Sequence, residues 1–152
     1  MRNSLILAFL MVLLAQVCYA QIQKPVTWSY GAKKLGMGVY EIHLLAKMDQ
    51  GWHIYAQKQA KDAIAVPTSI VFEKMKGLVL MGPVMEKGKK VAHRIEALDV
   101  VNMEYAGQVD FVQKVRVSPG VKVLRARISF QACTNERCLP EETVEASIPL
   151  PQ

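Results

Sequence analysis

Cys133 and Cys138 carry the most evident chemistry in this chain. They lie in Phe130-Gln131-Ala132-Cys133-Thr134-Asn135-Glu136-Arg137-Cys138-Leu139-Pro140, with four residues between them. A bridge here closes a very small ring. In the loop-entropy account such a ring constrains the unfolded chain by about 2 kcal/mol, against about 4.7 kcal/mol for a 100-residue loop. The pair is therefore a weak staple. As an exchangeable pair its spacing fits: a resolving sulfur stands close to the sulfur that meets a partner. Arg137 favours a thiolate at Cys138, Glu136 opposes it, and Pro140 stiffens the chain beyond the second sulfur. The spacing is not Cys-x-x-Cys, which excludes a thioredoxin-type site. An inert hairpin brace is the competing reading of the same residues.

The other chemistry-bearing residues are dispersed. His43, His53 and His93 are far apart in sequence and lack metal-ligand spacing. Met37, Met48, Met75, Met81, Met85 and Met103 are scattered. Soft thioethers select Cu(I), so a copper-binding exported protein stays as an alternative, with the methionines otherwise filling core gaps. No carboxylate pair, glycine-rich phosphate loop or Ser-His arrangement stands out. We expect no cofactor beyond the Cys133–Cys138 disulfide, no metal and no small-molecule substrate. Trp52, Tyr55 and Tyr40 read as packing residues, and Lys87-Gly88-Lys89-Lys90 as a solvated turn.

The elements that must position the cysteines are short strands set off by Gly, Pro and charged turns. Val39 to Met48 alternates, with Tyr40, Ile42, Leu44, Ala46 and Met48 on one face. Further strands are expected over Val26–Tyr30, Trp52–Tyr55, Ile70–Phe72, Leu78–Met81, Val100–Tyr105, Gln108–Val117, Val121–Ala132 and Thr143–Ile148. In the penultimate strand Leu124, Ala126, Ile128, Phe130 and Ala132 share the buried parity. Cys133 takes the other, so it should face away from the core, toward solvent or a partner. Val144, Ala146 and Ile148 face inward on the last strand, and the cysteine loop should join these two strands at one end of the fold. About eight short strands and no convincing long helix predict an all-β, immunoglobulin-like β-sandwich.

With these residues in place, the chain resembles the N-terminal periplasmic domain of the DsbD family of thiol:disulfide interchange proteins. Asp49-Gln50-Gly51-Trp52-His53-Ile54-Tyr55-Ala56-Gln57-Lys58 resembles the family's Asp-Gly-aromatic-x-x-Tyr strand. Cys133 to Pro140 resembles its cysteine loop, and Glu142 to Leu150 its closing strand. The resemblance spans nearly all of the chain beyond its N-terminal leader. It implies an immunoglobulin-like sandwich that relays electrons from a thioredoxin-like donor to oxidised periplasmic proteins, and an association with cytochrome c biogenesis. It implies Cys138 as the attacking thiol and Cys133 as the resolving thiol. It also implies a capping loop over Val91 to Tyr105, where Leu98 stands in the place of the family's shielding aromatic residue. Tyr40, Tyr55, Leu98 and Tyr105 are the candidates for lining or capping the disulfide. The chain departs from the family in having one residue fewer between the cysteines, and it carries neither the membrane domain nor the C-terminal thioredoxin domain. The expected donor is thus a separate thioredoxin-like protein or membrane thiol reductase.

The compartment follows from the N-terminus. Arg2, the apolar run Leu5 to Leu14 and Cys18-Tyr19-Ala20 read as an export signal cleaved after Ala20. Val17 ahead of Cys18 argues against a lipoprotein. Removing twenty of the 152 residues leaves 132, enough for one domain over residues 21–152, and losing Arg2 lowers the net charge from +6 to +5. Cleavage also removes Cys18 and leaves one pair of cysteines in a periplasmic or secreted protein, where disulfides persist. No basic cluster interleaved with aromatics suggests nucleic acid. Intact-mass measurement of the exported protein should give a chain that starts at Gln21; a mass retaining Met1 to Ala20 refutes the cleavage.

Overall fold

The computed structural model describes residues 23–152. The leader over residues 1–20 and its cleavage site lie outside the described residues. Among the described residues the chain forms ten strands, with clear apolar–polar alternation in β2, β8 and β10: β1 Val26–Gly36, β2 Val39–Met48, β3 His53–Tyr55, β4 Ser69–Phe72, β5 Leu78–Leu80, β6 Met85–Ile95, β7 Val100–Val117, β8 Val123–Phe130, β9 Ala132–Cys133 and β10 Glu142–Pro149. A single 3₁₀ turn, Glu96–Leu98, joins β6 to β7. The strands form two antiparallel sheets, one of seven strands and one of three in the order β10-β8-β4. The fold is the expected all-β sandwich.

β7 is the hub of the larger sheet. β2 and then β3 pair along one of its edges, while β5 and β6 pair along the other. The sequence pattern suggested two strands here, Val100–Tyr105 and Gln108–Val117, but they are one strand of 18 residues. Gly107, at φ 73°, carries the backbone through the point where the partner changes from β3 to β2. The core lies between the sheets. Ile42, Leu44, Val109, Phe111 and Val115 of the larger sheet meet Leu124, Ala126, Ile128, Phe130 and Ile148 of the smaller. Trp28 ties the layers together, its ring centroid 5.8 Å from Phe111 and 5.4 Å from Phe130. The inward parities expected for β2 and β8 hold throughout, and on β10 Ala146 and Ile148 are buried while Val144 is half-buried against the core.

β6 corrects the sequence reading most. Lys87-Gly88-Lys89-Lys90 is no turn; it lies within an 11-residue strand on the rim of the sheet. The strand carries five charged side chains and little apolar alternation, so the period-2 signal is weak. Its register shifts between Gly88 and Lys90. A Cβ at Gly88 would come within 3.2 Å of the Tyr105 ring and 3.1 Å of the Gln108 carbonyl oxygen, so a side chain there would crowd the bulge against β7.

Glu86 fastens β6 to the rest of the fold. Its carboxylate accepts from the Gln57 backbone N–H at 2.6 Å, from Tyr105 Oη at 2.9 Å and from Lys90 Nζ at 2.6 Å. Burial alone would raise its pKa, but these donors outweigh it and hold the carboxyl below the usual 4.5. The same contact, after burial, pushes the Tyr105 phenol up to about 12. A carboxyl whose folded pKa lies below its unfolded one stabilises above that unfolded value and loses its contribution as pH falls through the folded value. Glu86→Gln should therefore lower stability by about 2 kcal/mol at pH 7, as the charged hydrogen bonds are lost. The gap between the urea midpoints of wild type and variant should close below pH 4.5. A gap independent of pH would show that the charge is not what holds β6.

Candidate functional site

The site begins where the chain changes sheets. β8 ends at Phe130 in the smaller sheet, Gln131 crosses, and β9 pairs with β3 in the larger. Ala132 stands opposite Ile54 and keeps to the core; Cys133 stands opposite His53 and faces away from it. The outward parity expected for Cys133 thus holds, but its exposure to solvent does not: Cys133 is 0% exposed. The physical reason is the crossing. Beyond Phe130 the strand no longer runs along the smaller sheet but lies against β3, and the chain then folds back on it.

That fold-back is tightly bonded. Thr134 N–H donates to the Arg137 carbonyl at 2.7 Å, and Leu139 N–H to the Ala132 carbonyl at 2.9 Å. Thr134 Oγ1 accepts from the backbone N–H groups of Glu136 and Arg137, both at 3.2 Å, as hydroxyls do in such turns. Gln131 Nε2 donates to the Leu139 carbonyl at 3.0 Å. Cys133 and Cys138 form a disulfide, their Cα atoms 4.0 Å apart. Cys138, unlike Cys133, is exposed. The loop joins β8 to its sheet neighbour β10, as expected. The Arg137 guanidinium lies 5.7 Å over the Trp52 ring and donates to Gln23 Oε1.

The loop forms one wall of a cleft of about 370 Å³. His53, Tyr55, Asn102, Glu104 and His93 line the sheet side, with Ile64 from the β3–β4 connection also lining the cleft. Tyr55 Oη lies 3.9 Å from Cys138 Sγ. Burial, with Glu104 adding to it, raises the Tyr55 pKa, so the hydroxyl stays protonated and is the donor toward the disulfide sulfur. Thr68 Oγ1 pins this strand by donating to the Tyr55 carbonyl at 2.6 Å. Glu104 Oε2 lies 3.3 Å from His53 Nε2 and 3.4 Å from His93 Nδ1, and the two imidazole centroids are 6.5 Å apart. Burial lowers the His53 pKa below 6.5, Glu104 opposes that, and His93 adds to it. Asn102 Oδ1 is buried without a hydrogen-bond partner among the described residues.

Of the four candidates for lining or capping the disulfide, the structure brings Tyr55 to the sulfur and places three elsewhere. Tyr40 lies near the start of β2, where its hydroxyl donates to the Pro151 carbonyl at 3.2 Å. Tyr105 pairs with Ile54 on the core side of the sheet and gives its hydroxyl to Glu86. Leu98, 58% exposed on the 3₁₀ turn, does not line the cleft. Val91 to Tyr105 is not a loop but the end of a β6–β7 hairpin. The histidines also differ from expectation. His53 and His93 meet across Glu104, while His43 sits apart between Glu41 and Asp110. The pattern His53-x-Tyr55 and Asn102-x-Glu104 marks one strand face each, but their meeting with His93 depends on the β6 strand that the sequence pattern hid.

Fold and site together define an antiparallel β-sandwich that carries a disulfide in a turn at the end of both sheets. No protein-family profile and no curated protein matches the chain in sequence. Among solved structures it is similar to the N-terminal periplasmic domain of ScsB from Proteus mirabilis, with a TM-score of 0.56 at 14% identity. That match covers 82% of this chain and 45% of the other, so the chain spans less than half of that neighbour's length. It is also similar to the yeast GGA1 GAE domain, with a TM-score of 0.50 at 14% identity over 86% of this chain and 96% of that one. The N-terminal domain of DsbD from Neisseria meningitidis, in its reduced form, matches at a TM-score of 0.40 and 12% identity, over 71% and 75% of the two chains. At such identities the likeness to the first two shows the sandwich fold alone.

The His53 shift has a consequence for stability. A histidine whose folded pKa is lowered is neutral in the folded protein where the unfolded chain already binds a proton. Stability should therefore fall as pH drops through 6.5 toward the lower folded value. Urea midpoints of the oxidised protein between pH 8 and pH 5 check this, and His53→Gln should flatten the decline. An equal decline in the variant assigns it to other groups.

Proposed function

We propose that this domain is a thiol–disulfide exchange protein of the DsbD N-terminal type, and that Cys133 and Cys138 are its redox pair. The supporting observation is the asymmetry of the two sulfurs: Cys138 is exposed beside an open cleft, and Cys133 is fully buried behind it. An incoming thiolate meets Cys138. The S–S bond breaks with its electron pair going to Cys133, and a mixed disulfide joins Cys138 to the partner. A second partner thiolate then attacks its own half of that bond and leaves both protein cysteines reduced. Run in the opposite sense, Cys138 attacks an oxidised protein and Cys133 resolves the adduct, so two electrons pass to the acceptor. The partners on this reading are a thioredoxin-like protein or a membrane thiol reductase on one side and oxidised exported proteins on the other. The setting is a periplasmic or extracellular space, with the domain following the leader from residue 21.

Substitution separates the roles of the sulfurs. Cys133→Ser should trap a mixed disulfide through Cys138 with a thioredoxin-like protein; trapping only through Cys133 in a Cys138→Ser variant overturns the assignment. The reduction potential of the pair should lie above about −300 mV, in the range of exchange-active bridges. A value well below that, with no adduct through either sulfur, makes the bridge a brace and the sandwich a binding module.

A further inference from the structure

Burying Cys133 creates a difficulty for the resolving step. Only a thiolate attacks a mixed disulfide, and Cys133 has no exposed surface through which solvent could take its proton. The side chain opposite it is His53. The two residues are register partners on antiparallel β3 and β9, a relation that sets Cβ atoms about 4.5–5.5 Å apart on one face. His53 Nε2 is committed to Glu104 Oε2 at 3.3 Å, which leaves Nδ1 as the nitrogen available for a proton. Glu104 is in turn held by His93 Nδ1 at 3.4 Å.

Building on the exchange reading above, we propose that His53 is the general base for Cys133, positioned by Glu104, with His93 behind it. When Cys138 is bonded to a partner sulfur, His53 takes the proton from the Cys133 thiol. The Cys133 sulfur bonds to Cys138 Sγ, the Cys138–partner bond breaks, and the partner leaves as a thiolate with the electron pair. The protein pair is oxidised by two electrons and the partner is reduced. Glu104 stabilises the imidazolium, which then gives its proton to solvent or to the departing thiolate. In the reverse reaction the imidazolium protonates Cys133 as it leaves. Each element around the imidazole supplies one of the groups that act on it. Glu104 comes from β7, His93 from β6, Tyr55 from β3 itself and Cys133 from β9, while Glu136 and Arg137 of the cysteine turn line the same cleft. Burial keeps His53 neutral near pH 7, the form a base requires.

The reduced protein reacted with 5,5′-dithiobis(2-nitrobenzoate) reports the two steps as two releases of thionitrobenzoate. The first is attack by exposed Cys138; the second is resolution by Cys133, and it disappears in Cys133→Ser. The second phase in wild type should be flat with pH above the His53 transition. In His53→Gln it should slow by about 100-fold at pH 7 and rise about tenfold per pH unit, with the first phase unchanged. Glu104→Gln should move the wild-type transition to lower pH, because the carboxylate that raises the His53 pKa is gone. Two phases with a second one insensitive to His53→Gln in rate and pH dependence, or both phases slowed alike, overturn this inference and leave the exchange reading standing. Absence of the second release in wild type overturns the exchange reading, and the inference with it.

Discussion

The structure depends on one constraint at Gln131: the chain must leave the smaller sheet there and pair with the larger. That step places two residues, Ala132 and Cys133, against β3. Its backbone hydrogen bonds fix which side chain faces which layer. Ala132 completes the core beside Ile54, and Cys133 is left on the outer face opposite His53. A slip of one residue would turn the sulfur into the core and expose an alanine in its place. The turn from Thr134 to Arg137 then brings Cys138 back over its partner, so the disulfide records a register already set by the ladder.

The outer face of the larger sheet is unusual in what it buries. The core face is apolar, as a two-layer fold requires. Around the disulfide the opposite face buries His53, Asn102 and the greater part of Glu104. Buried polar groups are costly unless they are paired. Glu104 meets that cost with two imidazoles, whereas Asn102 Oδ1 is left without a partner among the described residues. A sheet built only for stability would place apolar or solvated residues there. Glu86 shows the contrasting case on the same hairpin: three donors satisfy it, and its role is to hold β6 in place.

Much of the sandwich was legible in the sequence. Strict alternation in β2 and β8 identified both strands and their buried faces, because each has one wet side and one dry side. Pairing of the two cysteines and their position between β8 and β10 also followed from order along the chain. The rest was hidden for identifiable reasons. β6 carries Glu86, Lys87, Lys89 and Lys90 in a row broken by Gly88, and a rim strand need not alternate, so it read as a turn. The family resemblance implied a capping loop over Val91 to Tyr105, with Leu98 and Tyr105 as candidates to cover the disulfide, but the β6–β7 pairing holds this stretch as a hairpin and neither residue lines the cleft. Burial of Cys133 was hidden because parity along one strand says nothing about a neighbour from the other sheet. The cluster of His53, His93 and Glu104 is a property of pairing across β3, β7 and β6, and no spacing along the chain reveals it.

The rim position of β6 bears on behaviour in a crowded compartment. Its outer backbone groups are unpaired among the described strands, and an unpaired edge is a template onto which another copy can add. Here such addition would stack Lys87 and Lys89 of one molecule against the same lysines of the next, and the bulge at Gly88 would break the hydrogen-bond ladder midway. Charge repulsion and geometric mismatch therefore act together as a guard against fibrillar self-association.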